Sequence, residues 1–445
     1  MNMKKKIVFI NPSSESSNSL LSTGSWQIAP LSIAYLISYT DLNVWDVVVL
    51  DEVFDEFEIL ETDVVAITAM TFTINRAYEI AQLYKKRGIY VVMGGYHPTF
   101  MLDEVLNYAD TVITGEAENI WPTFLNDFLI NSPKRVYNGT IVDLNTIKIP
   151  SHNFISNKYP TITVQTSRGC PFNCSFCTVS KMAGLKYRQR TIDSIITELK
   201  STDKENIVFI DDNIIGVSKN HYSRAAQLFQ RMIDEKVNKR WVGFTSLNIV
   251  DNPELLALAN KSGCFMLNIG IESESISALK NVKKTQNVKV LDKYTIEQAV
   301  DIIHKQGISV YSTLIFGFQS DTKKDLRHRI RFIKNSNIDV IAISPLTPLP
   351  GSDLYIDANA NDSIIYNDFP KDWNRFSVVE ATMNTKHLNA SDINRYLQKA
   401  FRIMFNKSKI KSKFKNTKKA VKDNKTAESC RMLNESFRRL YLHKK

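Results

Sequence analysis

Arg168-Gly169-Cys170-Pro171-Phe172-Asn173-Cys174-Ser175-Phe176-Cys177 follows directly on a β-branched apolar run, Thr161–Gln165, and holds three of the chain's five cysteines. The spacing is C-x3-C-x2-C. Cysteines clustered this tightly read as metal ligands or redox thiols, not as a disulfide framework. A structural zinc site would want a fourth Cys or His at finger-like spacing, and none lies within ten residues after Cys177. Three thiolates on one loop instead suit three irons of a 4Fe–4S cluster, with the fourth iron open to an exogenous ligand. Gly169 and Pro171 shape the loop. Cys170, Cys174 and Cys177 are therefore the expected cluster ligands.

Downstream, strand-like runs recur at Ile207–Ile210, Trp241–Ser246, Met266–Gly270, Val310–Phe316 and Val340–Ser344. Helical patterns separate them, among them Asp193–Leu199, Tyr222–Glu235 and Ile296–Lys305. With Thr161–Gln165 these make six βα-like units, which fit a partial (β/α)6 barrel over 160–350 better than eight-fold closure. Polar groups stand at the carboxyl ends of the runs, the functional rim of such barrels: Asp211, Asp212 and Asn213 after the second, Glu272 and Ser273 after the fourth, Gly317 after the fifth. Each alone reads as well as a cap or a salt-bridged strand end. Their clustering favours a site.

Upstream, residues 1–130 alternate strand-like runs (Lys6–Ile10, Val47–Leu50, Val64–Met70, Tyr90–Met93, Thr111–Thr114) with amphipathic stretches such as Ile74–Arg87. This predicts an α/β, Rossmann-like doubly wound parallel sheet, whose ligands bind beyond the carboxyl ends of the strands. Asn11, Gly94, Gly95 and Gly115 occupy those ends. Residues 131–159 read as a linker punctuated by Pro133, Asn138-Gly139 and Pro150. Past Pro348-Leu349-Pro350-Gly351 the pattern turns irregular and then helical, a C-terminal region over 351–405, and 406–445 forms a Lys/Asn-rich tail, helical or disordered.

Charge sharpens that division. Of 57 basic and 46 acidic residues, 15 and 3 fall in Phe401–Lys445, a net of +12. Residues 1–400 keep 42 and 43, a net of −1. The basic surplus thus belongs to the tail and not to a base-reading module, so nucleic acid is not the expected partner. The basic start Met1–Lys6 is cut short by Asn11-Pro12-Ser13-Ser14 before a signal-peptide core can form. No apolar run approaches the roughly 18–20 residues of a membrane span. A cytoplasmic protein is expected.

The cysteine spacing, with the aromatic Phe176 before the third cysteine, resembles the radical S-adenosylmethionine superfamily. That resemblance implies a 4Fe–4S cluster whose open iron chelates S-adenosylmethionine and whose electron cleaves it to a 5′-deoxyadenosyl radical. It further implies an electron donor such as flavodoxin or ferredoxin. Asp211, Asp212, Asn213, Glu272, Ser273 and Gly317 become expected S-adenosylmethionine contacts. The segment Val91–Thr99 with Asp110–Glu118 resembles the cobalamin-binding-type domain fused ahead of the barrel in one large subfamily, with Asn11, Gly94, Gly95 and Gly115 as expected cobalamin contacts. Many of its members methylate unactivated carbon or phosphorus, the corrin cobalt delivering methyl to a substrate radical. No D-x-H-x-x-G string occurs here, so the histidine ligand found beneath cobalt in other cobalamin domains is missing.

The implied function is cobalamin-dependent methylation of a small molecule or peptide. A non-methylating enzyme of the same architecture (ring formation, rearrangement or oxidation) and a degenerate scaffold are the alternatives. An RNA-modifying methylthiotransferase would carry further cysteines in its amino-terminal domain, and residues 1–169 contain none. His97, followed by Pro98, reads as structural. Cys264 reads as a small buried hydrophobe, and Cys430 carries no assignment. Tyr187, Arg188 and Arg190 are read as cofactor or substrate contacts or, equally, a solvated approach; Trp373, Arg375 and Phe376 are candidate substrate contacts.

Overall fold

The computed structural model describes residues 4–13 and 27–442; residues 1–3, 14–26 and 443–445 of the stretches above lie outside them. The first sheet runs through β1 (Lys5–Asn11), β2 (Trp45–Asp51), β3 (Val64–Thr68), β4 (Tyr90–Gly94), β5 (Thr111–Thr114) and β6 (Val136–Asn138). All neighbours pair parallel, in the order β2-β1-β3-β4-β5-β6. Alternate side chains face opposite sides, as a pleated strand requires. Ile7 and Phe9 join one core, against Leu31–Ser38 and Trp121–Leu129, while Val8 and Ile10 join the other, against Ile74–Lys85. Two-sided burial explains why the strands read as nearly continuous apolar runs. The expected linker is not a bare connector: it supplies β6, and Val142, Leu144 and Ile147 are buried in the first domain's core.

The second sheet contains β7 (Thr161–Val164). A two-stranded ribbon, β8 (Ser167–Arg168) with β9 (Arg188–Gln189), then brackets the cysteines. The sheet continues with β10 (Asn206–Phe209), β11 (Arg240–Thr245), β12 (Cys264–Glu272), β13 (Ser309–Phe316) and β14 (Val340–Pro345). Its order, β14-β13-β12-β11-β10-β7, is wholly parallel and unclosed. This is the partial six-stranded barrel expected from the sequence.

Both open edges are covered, as unpaired strand edges demand. Segment 27–30 of the first domain lies along β7, with the Ala29 N–H donating to Thr163 Oγ1 (2.9 Å) and Thr161 Oγ1 donating to the Gln27 carbonyl (2.8 Å). At the β14 edge the tail folds into two helices, Lys407–Val421 and Asn424–Leu442. The second buries Cys430, Phe437 and Tyr441 in the barrel core, so the tail is a structural part of the barrel wall.

Candidate active site

The cysteine loop is folded by one residue that only glycine can be. Gly169 has φ +90°, and a Cβ there would lie 2.3, 3.0 and 3.1 Å from the carbonyl oxygens of Lys186, Gly184 and Ala183. The loop is then clamped: the Cys170 N–H donates to the Gly184 carbonyl (3.2 Å) and the Ser175 N–H to the Val282 carbonyl (3.2 Å). The Ser175 carbonyl accepts from the Leu354 N–H (2.8 Å). All three cysteines are free thiols lining one cavity of about 900 Å³. Burial pushes Cys170 up to about 11, Cys177 up to about 12, and Cys174 up as well. Iron held by these cysteines would supply the positive charge that such thiolates need.

The carboxyl ends of the barrel strands line the same cavity. At the end of β12 the ladder shifts register and Glu272 adopts φ +65°. Its carboxylate turns onto Lys284 Nζ (2.8 Å) and accepts from Thr313 Oγ1 (2.8 Å). Gly270 makes room for this pair, since a Cβ there would fall 2.4 Å from Glu272 Oε1 and 2.7 Å from Lys284 Nζ. Burial pulls the Lys284 ammonium down, but Glu272 and the neighbouring Cys174 outweigh it, and the group stays charged. Beyond β10, Asp211 is fully buried and accepts from the Thr166 N–H and Oγ1 and from Ser167 Oγ. It thereby ties that strand end to the start of the cysteine loop. Asp212 lines the cavity, and burial, helped by Asp211, pushes it up to about 6. Asn213 is anchored by Thr245 Oγ1 (3.1 Å) and donates to Ser246 Oγ (2.9 Å).

The opposite wall comes from the first domain. Asn11, Gly94, Gly95 and Gly115 all line the cavity. Gly95 (φ +111°) would place a Cβ 2.7 Å from the Ala69 carbonyl, and Gly115 (φ +69°) one 2.8 Å from the Gly139 carbonyl. Between the two walls runs a buried charge relay. Arg168 bonds Glu118 (2.5 Å) and Gln165 (2.8 Å), lies 3.5 Å from Glu116 and covers the Tyr35 ring at 5.1 Å; Arg188 bonds Glu116 and the Val142 carbonyl.

Residues 164–333 match the Radical SAM superfamily and residues 27–125 the B12 binding domain. The bacteriochlorophyllide d C-12(1)-methyltransferase of Chlorobaculum tepidum is 32% identical over 366 residues, spanning 78% of this chain and 77% of that protein. The chain belongs to the radical S-adenosylmethionine superfamily, in the branch carrying a B12-binding domain. Two solved structures share its fold. The radical S-adenosylmethionine methyltransferase from Kitasatospora setae, with cobalamin and a [4Fe-4S] cluster bound, has a TM-score of 0.65 at 16% identity, covering 82% of this chain and 76% of that one. A cobalamin-dependent S-adenosylmethionine radical enzyme with aqua-cobalamin bound has a TM-score of 0.69 at 16% identity, covering 93% and 69%.

This radical S-adenosylmethionine enzyme accordingly uses a 4Fe–4S cluster, S-adenosylmethionine and cobalamin. Its residues fit the cluster: Cys170, Cys174 and Cys177 are free thiols on one loop that line the same cavity, and each could take a different iron of a cubane. The wall of Asn11, Gly94, Gly95 and Gly115 presents three glycines without side chains to the cavity, which fits close backbone approach by a large cofactor.

Two expected contacts stand outside the cavity. Ser273 is buried against Arg329 (2.9 Å), and the space beside Gly317 is filled by Ile393. The tyrosine and arginines after the cluster are structural: Tyr187 OH donates to the Asn213 carbonyl (2.8 Å), Arg188 holds Glu116, and Arg190 bonds Glu198 (2.5 Å). Trp373 and Phe376 are fully buried and meet no substrate space; Trp373 Nε1 donates to Glu104 (3.0 Å), and Arg375 pairs with Glu380. His97 is held between Thr71 and Glu104, 3.3 Å from each, and Cys264 is buried in the barrel core. The cavity also contains residues that the pattern did not single out: Tyr96, Arg168, Lys284, Gln286 and Thr313. Only a buried lysine beside a strand-end glutamate would have signalled Lys284, and burial is not legible in Lys283-Lys284.

Proposed function

We propose that this enzyme methylates an unactivated carbon of a small molecule or peptide, using both cofactors on one substrate. The observation that carries the reading is the single cavity of about 900 Å³ walled on one side by Cys170, Cys174 and Cys177 and on the other by Asn11, Gly94, Gly95 and Gly115. The similarity to a protein named a methyltransferase supports it. The cluster with S-adenosylmethionine supplies a hydrogen-abstracting radical and cobalamin supplies a methyl donor. The chain's own residues position and enclose. Cys170, Cys174 and Cys177 would ligate the cluster. Asp212, Asn213 and the Glu272–Lys284 pair would meet S-adenosylmethionine, with the charged pair suited to its zwitterionic methionyl end or its ribose hydroxyls. Asp211, fully engaged with Thr166 and Ser167, would position and not bind.

The remaining setting follows the same chemistry. Free cysteines suit a reducing, cytoplasmic compartment. Among the described residues no helix is long and apolar enough to cross a membrane. Turnover would need an external one-electron donor. The test is anaerobic reconstitution with iron, sulfide and hydroxocobalamin, followed by product analysis against candidate substrates. Methylation yields 5′-deoxyadenosine and S-adenosylhomocysteine together with a methylated product. Formation of 5′-deoxyadenosine alone with an altered but unmethylated substrate would replace this reading by ring formation, rearrangement or oxidation. Absence of any cleavage would remove the radical reading altogether.

A further inference from the structure

The helices that close the chain carry a charge pattern that neither the cavity nor the barrel wall requires. Helix Lys407–Val421 has no Asp or Glu. Lys413 is buried and Lys409 holds the Lys334 carbonyl (2.6 Å), whereas Lys407, Lys411, Lys415, Lys418 and Lys419 are exposed, as is Lys422 just beyond the helix. Lys407 and Lys411, Lys411 and Lys415, Lys415 and Lys419, and Lys418 and Lys422 each stand one helical turn apart, so like charges face each other and destabilise the helix. Its first turn has no acid either, which sets Lys407 and Lys409 against the helix dipole. A helix built this way is short of an anion.

Two neighbouring helices extend the strip. Lys323–Asn335 packs on Ala390–Met404, with Arg327 Nη1 donating to Tyr396 OH (3.2 Å), and Lys409 ties the first of them to the tail helix. Toward their carboxyl ends these helices expose Arg331 and Lys334, and Lys399 and Arg402. None of the exposed bases of the strip makes an ion pair among the described residues. The acids that border it are few. Asp325 and Asp392 lie in the first turns of the two neighbouring helices, and Asp392 is paired with Lys323 (3.0 Å) and Arg395 (2.6 Å). Glu297 and Asp301 stand on the adjoining helix, where Asp301 accepts from Asn337 Nδ2 (2.7 Å). Asp423 accepts from the Thr426 N–H (2.9 Å), and Glu428 and Glu435 both hold Arg431.

The composition of the strip selects the kind of partner. None of the exposed large hydrophobics among the described residues lies on these three helices, so a protein interface here would lack its apolar centre. Phe332, Tyr396 and Phe414 are buried or half-buried, which leaves no stacking platform for single-stranded nucleic acid. What remains is a sequence-blind attraction spread along about 22 Å of helix. Clusters of roughly four to eight such bases suit an anionic lipid surface, which needs neither grooves nor pockets to hold them. We propose that this strip seats the protein on an anionic phospholipid bilayer, held by headgroup phosphates and not inserted into the hydrocarbon. The seat is independent of the reaction that the cavity carries.

The protein is sedimented with phosphatidylcholine vesicles, with and without phosphatidylglycerol, at low and raised salt. Wild type should bind only the vesicles that contain phosphatidylglycerol and should be released by salt, as screening requires. Lys411→Ala/Lys415→Ala should weaken that binding roughly thirtyfold, the loss of two surface-attracted charges, with an unchanged circular dichroism spectrum. Arg331→Ala/Lys334→Ala, on a different helix, should weaken it to a similar degree, and it is read by the same criteria if the first variant does not fold. Lys86→Ala/Arg87→Ala, exposed on the first domain, should bind as wild type does. Absence of phosphatidylglycerol-dependent binding, retained affinity in a folded strip variant, or equal weakening by the first-domain variant overturns the proposal. Duplex DNA, compared at equal phosphate concentration, should bind more weakly than the vesicles; tighter binding to it would assign the strip to nucleic acid and overturn the lipid reading.

Discussion

Replacing Gly169 by alanine should abolish cluster assembly while leaving the two sheets folded. The perturbation is local and its size can be worked out. At φ +90° an L-residue is held in a sparsely populated region, at a cost of roughly 1–3 kcal/mol. The added Cβ also meets the Lys186 carbonyl at 2.3 Å, where ordinary contact begins at 3.4 Å, so backbone must part by about 1 Å. Neither side can yield cheaply. Lys186 is fixed by the adjacent ribbon, and the Cys170 N–H is bonded to Gly184 in the same cup. The displacement therefore passes to Cys170, one of the three proposed ligands that would have to meet a rigid cubane together. The assay is iron and sulfide content with the visible charge-transfer absorbance after anaerobic reconstitution, beside urea denaturation and hydroxocobalamin uptake. The expected result is strong loss of bound iron, with stability reduced by only a few kcal/mol and cobalamin uptake retained. A Gly169→Ala protein with wild-type iron content and absorbance would refute the argument that this glycine sets the loop.

Three further outcomes follow from the geometry. Gly115→Ala, with φ +69° and a Cβ 2.8 Å from the Gly139 carbonyl, should lose hydroxocobalamin uptake in a spectroscopic titration and keep its iron. Trp373→Ala should cost about 3–5 kcal/mol in urea denaturation, because it empties a fully buried site and deprives Glu104 of a donor; an unchanged stability with an altered substrate KM would restore Trp373 as a substrate contact. Lys413 is buried and lowered to about 8 from 10.5, so between those values the unfolded chain binds more protons and wild-type stability should rise with pH, by roughly 3 kcal/mol in total. Below about 8 the full penalty applies, and Lys413→Met, measured by denaturation across that window, should flatten the slope; an unaltered slope would assign it to another group.

How much of this was legible follows from what hides or shows a buried face. All six strands of the barrel announced themselves because buried parallel strands are rich in apolar and β-branched residues, and the three cysteines proposed as cluster ligands stood out by spacing alone. The strand β6 did not, since Val136–Asn138 is too short for any period to register. The tail helix Lys407–Val421 was illegible for a different reason. Its inward positions are Ile410, Lys413, Thr417 and Val421, correctly spaced at i, i+3, i+7 and i+11, but two of the four are polar. They are buried because the barrel offers them partners: the Ile338 carbonyl accepts from Lys413, and Asp339 accepts from Thr417 (2.6 Å). A hydrophobic pattern cannot register a face whose satisfaction comes from elsewhere in the chain.

The same reasoning explains why only part of the cavity lining beyond the cysteines was legible. Strand ends locate Asp212, Asn213 and Glu272, but Lys284 and Arg168 matter through tertiary contacts that no local spacing encodes. Arg168 shows what that costs a reading by motif. It stands one residue before Gly169, and its guanidinium is held by Glu118 and lies near Glu116, both from the first domain, and over the ring of Tyr35, from the same domain. Breaking such a buried pair from one side costs about 3–5 kcal/mol, so the start of the cysteine loop is positioned by the B12-binding half and not by the barrel alone. Glu116 is shared with Arg188, across the ribbon that closes the loop from its other end. Both ends of the loop that presents Cys170, Cys174 and Cys177 are thus gripped by the segment that also carries Gly115. The geometry on one wall of the cavity is thereby fixed by the other, which is the condition for two cofactors to act on one substrate atom between them.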